Sequence, residues 1–184
     1  NGNIAWIISG EVNEPFIVIA KKFITKEGLN NSSAKLFEKG TILMAMYGAT
    51  AGKVSLIDIE ASTNQAICAI MPHEEAYKYY IKFGLEDLYK YLISLSTGSA
   101  RDNLSQDKIK ELNFINPNKK ILEKFDKIAY PMMNKILMNL KENQELASLR
   151  DWLLPMLMNG QVSVASTGSA TEKRYEVEDS ELGM

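Results

Sequence analysis

The chain has 184 residues, 46% hydrophobic and 24% charged, enough for a domain with a real core and against disorder of the whole. Twenty-one Lys and Arg against 23 Asp and Glu leave a formal charge of −2, so any surface for a polyanion has to be local. A single cysteine, Cys68, and a single histidine, His73, exclude a four-ligand zinc site, a disulfide framework and a conventional Ser/His/Asp triad with a base to spare. No run approaches the ~20 apolar residues of a membrane span, and no basic segment followed by an apolar one opens the chain, which reads as cytoplasmic. It begins at Asn1 inside a strand-rich stretch, so an opening segment is expected to precede it.

Residues 1–117 hold short β-type runs separated by turn chemistry: Ala5 to Ile8, Phe16 to Ala20, Thr41 to Tyr47, Lys53 to Ile59, Ala66 to Met71 and Leu112 to Ile115, with Gly10, Gly40, Gly48 and Gly52 between some of them. This predicts a curled, mainly β domain. One amphipathic helix interrupts it, because Tyr77, Tyr80, Ile81, Leu85, Leu88 and Leu92 recur at helical steps, with Gly84 weakening its middle. A shorter helix follows Ser105, an expected N-cap.

From Asn118 to Gly160 the period changes. Ile121, Phe125, Ile128, Met132, Ile136 and Leu140 form one stripe, and Leu146, Leu149, Leu153 and Leu157 resume it beyond Asn139 and Asn143. Pro131 is expected to kink this helix or start a new segment, and Asn159-Gly160 to stop it. From Pro131 to Asn159 the rod would be roughly 43 Å long, too long for one small β domain to cover, so it calls for a partner helix. Its lysines, among them Lys119, Lys124, Lys135 and Lys141, read as a solvated face rather than a nucleic-acid track. Residues 161–184 are Ser/Thr/Gly-rich and then acidic, the composition of a flexible tail. The class is therefore α+β, in three zones: 1–117, 118–160 and 161–184.

The enzymatic motifs are near-misses. Gly48-Ala-Thr-Ala-Gly52-Lys53 is one residue short of a phosphate loop, and Val54 stands where a magnesium-binding Ser or Thr belongs. Two readings remain: a Gly-rich turn with its lysine in solvent, or backbone N–H groups with Thr50 and Lys53 suited to one phosphate of a nucleic acid. Asn116-Pro117-Asn118 lacks the second proline and the tyrosine of an adenine methyltransferase motif, and no acidic residue has a lysine two positions on, as the common metal-dependent nucleases need. No metal or cofactor is expected. His73 reads as an exposed loop residue and Cys68 as a buried, inert thiol. Asn64-Gln65 reads either as an Asx-type turn entering a strand or as a side-chain pair placed to meet bases.

Five segments together carry a resemblance. Trp6-Ile-Ile-Ser-Gly-Glu-Val12, Gly40-Thr-Ile-Leu-Met-Ala-Met-Tyr-Gly-Ala-Thr-Ala-Gly-Lys53, Thr63-Asn-Gln-Ala66 and Gly98-Ser-Ala-Arg-Asp-Asn-Leu-Ser105 resemble a target-recognition domain of the type I restriction-modification specificity subunit. Leu149-Arg-Asp-Trp-Leu-Leu-Pro-Met-Leu-Met-Asn-Gly160 resembles the end of that family's spacer helix. The resemblance implies one half of such a subunit, the C-terminal one, without catalysis of its own. It implies double-stranded DNA as partner, then methyltransferase (modification) subunits and, through them, restriction subunits. The spacer helix would pair as an antiparallel coiled coil with the helix of a missing half or of a second copy. Lys53 and Thr50 are then expected at phosphate, and Tyr47, Gln65, Arg101 and Asn103 near the groove, with base contacts also expected from the loop Lys21 to Ser33. The pairing residues would be Ile136, Leu140, Leu146, Leu149, Leu153 and Leu157. The alternatives are the recognition domain of another restriction architecture, or a structural protein whose helix makes oligomers and whose β domain binds protein.

Overall fold

A computed structural model describes residues 2–96 and 104–163. The chain divides into two compact units, Asn1–Asn143 and Gln144–Met184. The first contains eight strands among its described residues: β1 (Ile4–Ile7), β2 (Phe16–Ile17), β3 (Lys22–Ile24), β4 (Leu36–Phe37), β5 (Ile42–Ala45), β6 (Val54–Ile57), β7 (Ala61–Thr63) and β8 (Ile67–Ile70). They form two mixed four-stranded sheets, in the orders β3-β1-β7-β4 and β2-β6-β5-β8. The parallel pairs β1–β7 and β2–β6 join segments far apart in the chain.

The second sheet is covered on both faces, which is why β5 and β6 are buried at every position. Leu43, Ala45, Ile57 and Ile67 face the first sheet, packing with its Ala5, Ile7 and Ala61. Ile42, Met44, Val54 and Leu56 point the other way, toward helices. Those are α2 (Tyr77–Asp87), α3 (Tyr89–Ser96), α4 (Gln106–Lys110) and the first part of α5 (Lys119–Met158); the small helix α1 (Lys26–Asn30) lies between β3 and β4.

Several expectations hold. Ser105 caps α4, its Oγ accepting from the Lys108 N–H at 3.3 Å. The strands at 42–45, 54–57 and 67–70 lie inside the apolar runs, and the strand at 4–7 overlaps its run with a shift of one residue. Others need correction. Leu112–Ile115 is not a strand but an irregular segment placing Phe114 against α2, and the single helix expected over Tyr77 to Leu92 is two, α2 and α3. Gly84 is required by that contact: a Cβ there would lie 2.5 Å from the Phe114 ring. Pro131 starts no new segment, since α5 runs through it. Pro131 is exposed, so the carbonyl it leaves without an N–H partner sits on the wet side of the helix.

The α5 stripe is also displaced. Leu122, Ala129 and Met133 are buried, and Phe125, Leu137 and Leu140 pack beside them, whereas Ile121, Ile128 and Met132 remain more than 60% exposed. Leu140, expected at a pairing seam, thus belongs to the inward face. Lys141 also holds this part of the helix to the domain: its Nζ lies 2.5 Å from Asp58 Oδ2, while Lys39 Nζ is 2.6 Å from Oδ1. In the second unit the helix ends where expected. Gly160 takes φ +67°, its N–H donates to Leu157 O at 3.2 Å, and the Gln161 N–H donates to Met156 O at 2.9 Å, a Schellman stop.

Candidate nucleic-acid interface

Four loop segments are fastened together at one end of the two sheets. Met46 is the junction: its N–H donates to Ala66 O at 2.8 Å, and its carbonyl accepts from the Leu104 N–H at 2.9 Å. The Gly48–Thr50 turn is tied to the Ser9–Glu11 turn, and the Asn64 N–H donates to Ile7 O at 3.2 Å. Tyr47, Thr50, Lys53 and Gln65 are therefore brought to one end of the domain. Lys53 bonds through its carbonyl to Ala45, which is opposite Ile67 on β8, so Lys53 and the Gln65 turn are about two strand spacings, ~10 Å, apart. Arg101 and Asn103 lie outside the described residues.

The Gly-rich turn is shaped from within. Gly48 and Gly52 have φ of +78° and +79°, and a Cβ on Gly52 would press on the Tyr89 ring at 3.3 Å. The N–H groups of Ala51, Gly52 and Lys53 donate to Gly48 O, Ala45 O and Thr50 O. The Thr50 hydroxyl donates to Ser9 O at 2.8 Å. These donors, expected at a phosphate, are occupied by the fold, because the turn has to be closed against its neighbour before it can present anything. What faces solvent is the Lys53 side chain and Tyr47, 38% exposed. Lys53 lines a shallow hollow with Asn13, Glu14, Glu86 and Tyr89, and Glu86 is itself engaged by Lys82 Nζ at 2.5 Å. Glu11, in the first of the resembling segments, is structural, since its carboxylate accepts from the Ile8 N–H at 3.0 Å and the Lys21 N–H at 3.2 Å.

Asn64 makes a backbone turn, Ile67 N–H to Asn64 O at 3.2 Å, and not the Asx turn that its side chain would close; its Oδ1 is buried with no hydrogen-bond partner. Asn64 and the exposed Gln65 border a cleft of about 940 Å³ with Trp6, β8 and α4 among its walls. Cys68 lies in that wall, half-buried, and burial pushes its thiol pKa up against a weaker opposite pull from Lys110. No group of three or more His, Cys, Asp or Glu that could hold a metal occurs among the described residues. No described helix is long and apolar enough to cross a membrane.

The first unit thus presents a cluster of loops at one end of a small two-sheet core, and the chain continues into a long helix. The chain belongs to the type I restriction modification DNA specificity domain family, whose profile matches residues 1–146. It is 32% identical over 153 residues to the HindI specificity subunit of Haemophilus influenzae, covering 82% of this chain and 33% of that one. It is 26% identical to the EcoR124I/EcoR124II specificity subunit of Escherichia coli, over 79% of this chain and 38% of that protein. Against the MjaIX specificity subunit of Methanocaldococcus jannaschii it is 29% identical, over 79% and 34%. The chain thus spans about a third of the length of these relatives. A structure described as the basis of complex assembly and conformational transition of the type I R-M system superposes with a TM-score of 0.56 at 8% identity, over 83% of this chain and 36% of that one, a likeness of fold.

Proposed function

We propose that this chain reads one half of a gapped duplex target as part of a type I restriction-modification specificity subunit, in the cytoplasm and without chemistry of its own. The methyltransferase subunits, and through them the restriction subunits, supply the reactions. The observation that carries this reading is the convergence of Tyr47, Lys53 and Gln65 on loops fastened to one end of the family's domain. Lys53 supplies a phosphate contact, and Tyr47 and Gln65 stand near the groove. Arg101 and Asn103 are assigned to DNA contact by the family resemblance of their segment alone. Thr50 serves by holding the turn. The exposed face of α5 packs antiparallel on a second spacer helix, from another half of a longer chain or from a second copy.

Mobility of duplex DNA with the purified chain, measured over a range of salt, tests the reading. Phosphate contacts give a steep loss of affinity with salt. Lys53→Ala should weaken binding evenly across sequences and reduce the magnitude of the salt slope by about 1. Salt-independent binding, or none, would leave the β domain as a protein-binding module instead.

A further inference from the structure

The cleft beside Gln65 has a distinctive lining. Its walls come from separate segments: Ser32 to Lys35 before β4, the Asn64-Gln65 turn, β8 and α4. In a chain with more acids than bases, none of the described residues lining it is Asp or Glu, while two are lysines, Lys35 and Lys110. Lys110 has one acidic neighbour outside the lining, Asp107, at 3.7 Å. Ser33, Lys35, Gln65, Gln106 and Lys110 are all exposed around the opening. The amides of Gln65 and Gln106 each carry a donor and an acceptor in fixed relation, the pattern that reads a base edge, and lysine neutralises phosphate. Asn64, which also lines the cleft, adds a buried Oδ1 acceptor without a hydrogen-bond partner.

We infer that the mouth of this cleft is the base-reading part of the duplex-DNA surface, with Gln65, Gln106 and Ser33 determining specificity and Lys35 and Lys110, from different segments, anchoring phosphates. The inference rests on the DNA-reading function proposed above and extends it from Tyr47, Lys53 and Gln65 to residues of two further segments, before β4 and in α4. The absence of carboxylates from the lining favours a polyanion, and the amide-rich rim favours one with base edges over an acidic peptide.

Cys68 makes this testable without engineering, because it is the only cysteine of the chain and lines the cleft. Alkylation of Cys68 by a maleimide is followed in the full chain with and without random-sequence duplex DNA at low salt, and with polyglutamate as a control. Duplex DNA is expected to slow the reaction several-fold and polyglutamate not to. In selection of bound duplexes, Gln65→Ala/Gln106→Ala should change the preferred sequence while the salt-dependent affinity for random DNA persists, and Lys35→Ala/Lys110→Ala should lower affinity for every sequence. DNA binding with Cys68 reacting at its free rate, an unchanged preference in the glutamine variant, or equal protection by polyglutamate overturns the cleft assignment and leaves the DNA-reading function standing. No binding of duplex DNA at any salt sinks both.

Discussion

At Gly84 two local rules conflict. Alanine in a helix interior is worth about 1 kcal/mol over glycine, so propensity alone favours Gly84→Ala. The packing says otherwise: the added Cβ would stand 2.5 Å from the edge of Phe114, a half-buried ring wedged between α2 and the core. Overpacking costs typically 1–3 kcal/mol, so the net expectation is destabilisation by about 1 kcal/mol in urea unfolding. In the Phe114→Leu background the same change should become neutral or favourable, and equal costs in both backgrounds would show that Phe114 is not the obstacle. Asp58 presents a different balance. Burial is the largest single influence and would raise its pKa, but the bonds and charges of Lys141 and Lys39 together outweigh it and hold the carboxyl below its ordinary value. A carboxylate with a depressed folded-state pKa contributes stability above its unfolded value, about 3.9, and loses it as pH falls through the folded one. The stability gap between the native chain and Asp58→Asn should therefore be full at neutral pH and shrink below about pH 4. A gap constant from pH 7 to pH 3 would mean that the ion pair contributes nothing.

At the scale of elements, what was legible depended on whether one segment carried its own signal. β5 and β6 announce themselves as apolar runs, Ser105 as a cap and Asn159-Gly160 as a stop, each being local chemistry. β3, β4 and β7 are two or three residues long and hold their places by pairing with distant strands, which no local pattern encodes. At the candidate site, sequence alone brought Gly48 to Lys53 and Asn64-Gln65 forward, because their turn chemistry is local. It did not show that the Thr50 hydroxyl is consumed by Ser9 or that Lys35 and Gln106 share a cleft with Gln65, since those relations are made only by folding. In α5 the apolar residues come as doublets, Ile121-Leu122, Ile128-Ala129, Met132-Met133 and Ile136-Leu137, and periodicity fits either member. The domain takes the second of each. Leu122→Ala should cost about 2–5 kcal/mol of unfolding free energy, and Ile121→Ala no more than about 0.5. The reverse order would restore the other register.

In each of the two units, α5 carries apolar side chains that the described chain does not cover. Ile128 and Met132 are 62% and 63% exposed in the first unit, and Leu146, Leu149 and Leu157 are 56%, 49% and 39% exposed in the second. Burying a Leu or Ile side chain is worth ~1.5–3 kcal/mol, so even partial burial of these residues on another helix exceeds the modest gain of a solitary amphipathic rod. Sedimentation of the purified chain should show a concentration-dependent dimer at micromolar protein. Leu149→Asp should shift it toward monomer while urea unfolding of the β domain is unchanged, because Leu149 lies in the second unit and the domain core in the first. Leu122→Ala should do the opposite, weakening the domain with dimerisation retained in the folded fraction. If Leu149→Asp leaves the mass of the particle unchanged, the exposed face is not a pairing seam in this chain.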